Sequence, residues 1–200
     1  MEVFISTFLK MFFIMTPFFV LSVFLTVTSD ASNHERKVLA IKVTTSVIIM
    51  SLVLLFFGKH IFSIFGITLD AFRIGAGALL FLAAVDLVKG NKDGAKKSDD
   101  TALYDLAVVP LAIPVTIGPG TIGILLVMGA SFETTSSLIA GSFALICAVL
   151  VIGLMLYMSS IIEKIVGKQG LLVISKITGL FLAALSAQIV FTGVKNFLGL

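Results

Sequence analysis

Between Asp105 and Glu133 the chain carries no charge, and this run, long enough to cross a bilayer, holds three of the four prolines in the sequence: Pro110, Pro114 and Pro119. An apolar run in lipid has to satisfy its backbone internally, which favours a helix. A proline works against that, because it lacks an amide donor and crowds the carbonyl four residues earlier. Pro119 therefore frees the carbonyl of Val115, and Pro114 that of Pro110. Gly118 and Gly120 add backbone freedom on both sides of Pro119, so an unwound segment is expected rather than a simple kink. Opened backbone is tolerated at membrane depth only where protein covers it or it lines a watery cavity, so the break should face inward. A helix restarting at Pro119, a favoured first position, reaches about Ala130, roughly 18 Å. The break then lies near the midplane and exposes the positive end of a half-helix there.

Composition extends this reading to the whole chain. Hydrophobic residues make up 58%, charged residues 12%, and mean hydropathy is +1.18, which implies a polytopic membrane protein. The apolar residues fall into six segments, about 4–28, 38–57, 71–88, 106–132, 136–159 and 171–197. Pro17 breaks the first segment, again near its middle. Lys42 lies close enough to the start of the second to snorkel, one turn before Thr44, Thr45 and Ser46. Residues 58–70 read as a short, partly apolar return and 161–170 as a connection. No cleaved signal peptide is expected, since no charged start or small-residue cleavage site opens the chain. Cys147 stands alone in an apolar segment and implies neither a disulfide nor a redox or metal role. The net charge of +3 reflects loop charges, and the basic residues are too scattered to bind nucleic acid.

Those charges orient the chain. With six spans, ten Lys and Arg residues lie near the connections after segments one, three and five, against Lys10, Lys59, Arg73 and Lys195 on the other side. The odd connections are therefore expected in the cytoplasm and both termini outside. Tyr104 and Tyr157 fall at the cytoplasmic interface. Residues 91–101, rich in Lys, Asp and Gly, read as a polar cytoplasmic linker between a first unit, 1–90, and a second, 102–200.

The two units correspond in register. Pro17 and Pro119 are 102 residues apart, as are Gly77 and Gly179, Leu54 and Leu156, and Asp86 and Gln188. A repeat with an odd number of spans inserts its second copy upside down. The expected fold is an all-α membrane protein: six transmembrane helices as a 3+3 inverted repeat, with helices one and four broken near the midplane. Paired broken helices of this kind point to alternating-access transport, with the site where the breaks meet.

The run Val108-Val109-Pro110-Leu111-Ala112-Ile113-Pro114, leading into Gly118-Pro119-Gly120-Thr121, resembles the signature of the MarC family. Segment six, from Gly179-Leu180-Phe181-Leu182 through Gln188 to Gly193, is similar to that family's last helix. The resemblance covers nearly the whole chain. It implies a six-span inner-membrane protein of a bacterium or archaeon, in a family that includes transporters of small neutral amino acids. The sequence departs from the family at the first break: Thr16 stands where the family usually has Asn or Asp, and Phe19 where Gly is common.

Half-helices starting at Pro17 and Pro119 would offer amide hydrogens to a carboxylate, and loosened carbonyls would accept from an ammonium, a combination that suits a small zwitterion. The candidate substrate-binding residues are Thr16, Pro17, Gly118, Pro119, Gly120, Thr121 and Gln188. Each has a plainer reading: a packing kink for Gly118-Pro119-Gly120, hydroxyls bonded back to their own helices for Thr16 and Thr121, and an interhelical hydrogen bond for Gln188. Asp86, well inside a span, is the candidate for proton or sodium coupling, unless it pairs with Lys89 one turn on. Gly75 and Gly77 read as close helix contacts. Arg73 and Lys176, near span ends, read as snorkelling side chains. His34 and His60 are isolated in connections, so neither a metal nor a cofactor is expected. A nucleophile and base pair is lacking, which argues against an enzyme. The expected function is secondary transport of small neutral amino acids, with glycine or alanine as examples. The alternatives are export of other small metabolites or drugs, or a non-transporting membrane protein.

Overall fold

The computed structural model describes residues 2–90 and 108–199. Eight helical elements occur there: α1 (Glu2–Ile14), α2 (Pro17–Val27), α3 (Asn33–Phe65), α4 (Leu69–Lys89), a π-helical segment (Val108–Thr116), α5 (Pro119–Ser131), α6 (Thr135–Tyr157) and α7 (Ser159–Leu198). No strand occurs among the described residues. Five stretches are long and apolar enough to cross a membrane: Phe4–Val27, Asn33–Gly58, Leu69–Lys89, Thr135–Tyr157 and Ser159–Leu198. The sixth expected span is represented by the π-helical segment and the shorter α5. The polar linker at 91–101 and Tyr104 lie outside the described residues.

Local chemistry sets the helix ends. Ser32 and Glu35 form a capping box, in which the Ser32 hydroxyl accepts from the Glu35 amide at 3.3 Å and the Glu35 carboxylate accepts from the Ser32 amide at 2.8 Å. This starts α3 at Asn33, ahead of the apolar residues of segment two. Thr134 and Ser137 cap α6 in the same way. Two expected connections are instead largely helical. Residues 58–65 continue α3, which stops only at Gly66 with φ 63°. Residues 161–170 belong to α7, interrupted at Gly167 with φ 70° and ψ 165°. Polarity alone does not end a helix; both stops coincide with glycines in the left-handed region, where other residues are strained.

Lipid removes the hydrophobic drive between helices, so close backbone approach carries much of the association. α5 sits between α3 and α4. Gly129 lies against the Leu55 carbonyl and Gly58 against that of Leu126, while Gly123 lies against Ala76 and Gly120 against the backbone of Leu80. α4 and α7 cross closely at two points: a Cβ on Gly77 would fall 3.1 Å from the Ser186 carbonyl oxygen, and one on Gly179 would fall 3.1 Å from that of Ala84. Gly75, expected to make a similar contact, has nothing within 4 Å of its Cβ position. Large apolar side chains such as Ile139, Phe143 and Leu154 on α6 and Phe181 and Phe191 on α7 are exposed, which suits surfaces facing acyl chains.

The two ends carry different polar ties. At one, Arg36 donates to the carbonyls of Thr28 and Ser29 and pairs with Glu163 at 3.8 Å, and Lys37 lies over the Tyr157 ring. At the other, Arg73 donates to Asp70, which also accepts from Asn196.

Candidate functional site

The first helix break is a single residue. Thr16, at φ 48° and ψ 58°, occupies the left-handed region, an outlier for a β-branched side chain. Its amide still donates to the Phe13 carbonyl at 3.0 Å, and its own carbonyl accepts from Val20, also at 3.0 Å. Pro17 then opens α2, so the amides of Phe18 and Phe19 stand at the helix start without intrahelical acceptors.

The second break is built from a longer stretch. Over Val108–Thr116 the hydrogen bonds reach five residues back: the Ile117 amide donates to the Ala112 carbonyl at 2.8 Å, and the Thr116 hydroxyl to the Leu111 carbonyl at 2.7 Å. A wider turn accommodates a helix in which Pro114 supplies no donor. Gly118 then extends, at φ −79° and ψ 172°, and its carbonyl accepts from Ile122 at 2.9 Å. The amides of Gly120 and Thr121 are left open at the start of α5. Neither Thr16 nor Gly118 caps the helix that follows with a side chain.

A cavity of about 370 Å³ joins the two breaks. Thr16 lines it from the first, and Gly118, Pro119, Gly120 and Thr121 from the second. Residues on one face of α4, Leu79, Leu80, Ala83 and Asp86, form the facing wall, together with Leu182 of α7. The fold thus brings five of the sequence-derived candidates and Asp86 to one cavity. Pro17 is buried in the first turn of α2 and does not line it. Gln188 lines a different cavity.

Hydroxyl bonding divides the threonines and serines into two groups. Thr26, Thr28, Thr44, Thr45, Ser175 and Thr178 all donate to the carbonyl four residues earlier, the common way to hide a hydroxyl in an apolar helix. The hydroxyls of Thr16 and Thr121, on residues 8% and 4% exposed, make no hydrogen bond among the described residues; those of Ser51 and Ser159 are also unbonded, but they lie away from the cavity. The plainer reading of the two threonines is therefore not realised. Nor is the pairing of Asp86 with Lys89: the two ion pairs among the described residues are Arg36 with Glu163 and Arg73 with Asp70.

Two further cavities adjoin the central one. One, about 180 Å³, shares Phe19, Asp86 and Leu87 with it and extends past Ser22 and Thr26 to Lys168. The other, about 390 Å³, shares Ile14 and contains Lys10, Arg73 and Gln188. Sequence reasoning missed Thr116, Leu80 and Leu182 as lining residues. Thr116 carried a signal, a polar residue just before the break; the two leucines carried none, being apolar residues in apolar spans.

The chain matches the description "MarC family integral membrane protein" over residues 1–198. It belongs to the MarC family. Among its MarC relatives, a UPF0056 membrane protein of Aquifex aeolicus is 33% identical over 204 residues, covering 98% of this chain and 94% of its own. One from Methanocaldococcus jannaschii is 32% identical over 205 residues, covering 98% of each chain. One from Escherichia coli is 30% identical over 199 residues, covering 97% of this chain and 93% of its own. No solved structure matches the chain significantly. Membership makes this an integral membrane protein, in agreement with the apolar helices.

Proposed function

We propose that this MarC protein is a secondary transporter of small neutral amino acids, glycine- or alanine-like, working by alternating access across the inner membrane. The observation that carries the reading is the single cavity shared by both helix breaks, with two unbonded threonine hydroxyls and two open amides at the start of α5. Open amides at a helix start favour a carboxylate. The carboxylate of Asp86 on the facing wall, unpaired among the described residues, suits the substrate ammonium, or a coupling proton or sodium ion. Leu80 and Leu182 make the remaining wall apolar, and a cavity of about 370 Å³ falls at the small end of ligand pockets.

Six spans arranged as an inverted 3+3 repeat, with both termini outside, belong to the same reading. Support comes from contacts that interchange under the 102-residue offset. Gly77 meets Ser186 and Val190, and Gly179 meets Ala84 and Val88, which are the residues 102 positions away. The flanking cavities interchange too: Leu25, Asp86, Leu87 and Gly90 on the Lys168 side correspond to Val127, Gln188, Ile189 and Thr192 on the Lys10 side. An alternating-access protein needs two such related vestibules around one central site.

The test is flux into liposomes containing the purified protein, with labelled glycine or alanine and an imposed proton or sodium gradient. Saturable, gradient-dependent uptake is expected. Thr121→Val should weaken it about fivefold through loss of one hydroxyl, with an unchanged melting temperature because that hydroxyl holds nothing in the empty protein. Inhibition only by larger or non-amino-acid solutes would move the assignment to metabolite or drug export. The absence of both flux and ligand-induced thermal shift would leave a non-transporting membrane protein.

A further inference from the structure

We propose that the Lys10 cavity is a second solute site, an entry vestibule that takes the same small amino acids by their carboxylate before they pass Ile14. This rests on the transport reading above and adds a binding site to it. The cavity, about 390 Å³, is lined by two cations, Lys10 and Arg73, and by no Asp or Glu. Arg73 is held in place: one guanidinium nitrogen donates to Asp70 at 2.7 Å and another to Ser131 at 3.1 Å. Asp70 neutralises Arg73 from behind, so the uncompensated charge in the cavity belongs to Lys10. The Lys10 ammonium and the Gln188 carboxamide make no hydrogen bond or ion pair among the described residues, and together they supply donors suited to an anionic oxygen pair.

The corresponding cavity on the other side differs in the residue that matters most. That cavity holds a cation too, Lys168, but Asp86 stands there where Gln188 stands here, so its two charges cancel in sum where the Lys10 cavity keeps a positive one. Ile14, 3% exposed, is shared by the Lys10 cavity and the central one. The Ile14 side chain therefore stands between a solute held by Lys10 and the central cavity. The two vestibules, similar in position, are unlike in net charge, which favours the Lys10 side for a carboxylate.

The experiment counts labelled glycine bound at equilibrium by the purified full-length protein and measures glycine flux from the Lys10 side. Wild type should bind about two glycines per chain, and Lys10→Gln or Gln188→Leu about one. Lys10→Gln should raise the KM of flux about tenfold with little change in the maximal rate, and Lys10→Arg should restore it. Wild-type stoichiometry and KM in Lys10→Gln would overturn the vestibule while leaving the central site standing. A wild-type protein that neither binds nor transports glycine would remove the transport reading, and this site with it. A lipid headgroup offers similar oxyanions, so flux is repeated in vesicles of phosphatidylcholine alone. An effect of Lys10→Gln that persists there supports a solute site; one that needs phosphatidylglycerol assigns Lys10 to lipid and overturns the proposal.

Discussion

The two helix breaks reach the same result by different local means. The first turns at one residue, Thr16, forced to φ 48° among large apolar neighbours. The second spreads over a π-helical stretch, an extended Gly118 and a proline, with no residue in the left-handed region. The glycine is therefore not where backbone strain requires one, and the strained position is held by a threonine. Left-handed backbone costs a residue with a Cβ about 1–2 kcal/mol, and such strain persists where the surroundings over-determine it, often at functional sites. Thr16 brings a hydroxyl to its break, whereas Gly120 leaves room for the Leu80 backbone at the other.

The largest effect is expected at that space. A Cβ on Gly120 would fall 2.8 Å from the Leu80 Cα and 2.9 Å from its amide nitrogen, and backbone cannot yield as a side-chain tip can. Gly120→Ala should cost about 3 kcal/mol of stability and abolish flux, read from thermal unfolding and liposome uptake; a variant of native stability would show that α5 and α4 are free to separate. Asp86→Asn comes next, with glycine affinity falling about tenfold as a charge-assisted contact is lost. A gradient-dependent wild-type flux should also lose that dependence in this variant. Unchanged coupling and affinity would remove Asp86 from the site.

Thr16→Gly should separate the two roles of the first break. Relief of the left-handed strain should stabilise the fold by about 1 kcal/mol, while loss of the hydroxyl weakens glycine binding several-fold. A loss of stability would mean that the side chain itself holds the break together. Gly118→Ala is expected to do least. Its φ of −79° and ψ of 172° are open to any residue, and the added Cβ would sit 3.3 Å from the Pro114 carbonyl oxygen. A stability change within about 0.5 kcal/mol is expected; a large one would restore the view that this break depends on glycine freedom.

Much of the site was legible because prolines act locally. Pro17 and Pro119 interrupt their helices whatever packs around them, and both interruptions were readable to within a residue or two. The π-helical approach to the second was not, since Pro110 and Pro114 reveal that an α-helix fails but not which wider turn replaces it. Asp86 lies in the last turn of α4, one turn before Lys89. The tilt and packing of neighbouring helices decide what the end of a helix faces, and here it faces the central cavity. The register pairs Gln188 with Asp86 and predicts it at the central site. In the fold the two residues line different cavities, Asp86 the central one and Gln188 that of Lys10.

By itself the sequence determined that the chain is an apolar, all-helical membrane protein, that two helices break, and which hydroxyls and glycines lie at the breaks. These are consequences of composition and of backbone chemistry that acts within about four residues. Only the tertiary structure decided that both breaks open on one cavity, that Thr16 and Thr121 keep their hydroxyls unbonded, and that Asp86 and Gln188 part company. Those outcomes depend on which helix faces lie together, and in lipid that choice is made by close backbone contacts such as Gly120 on Leu80 and Gly77 on Ser186, not by a hydrophobic pattern that could be read along the chain.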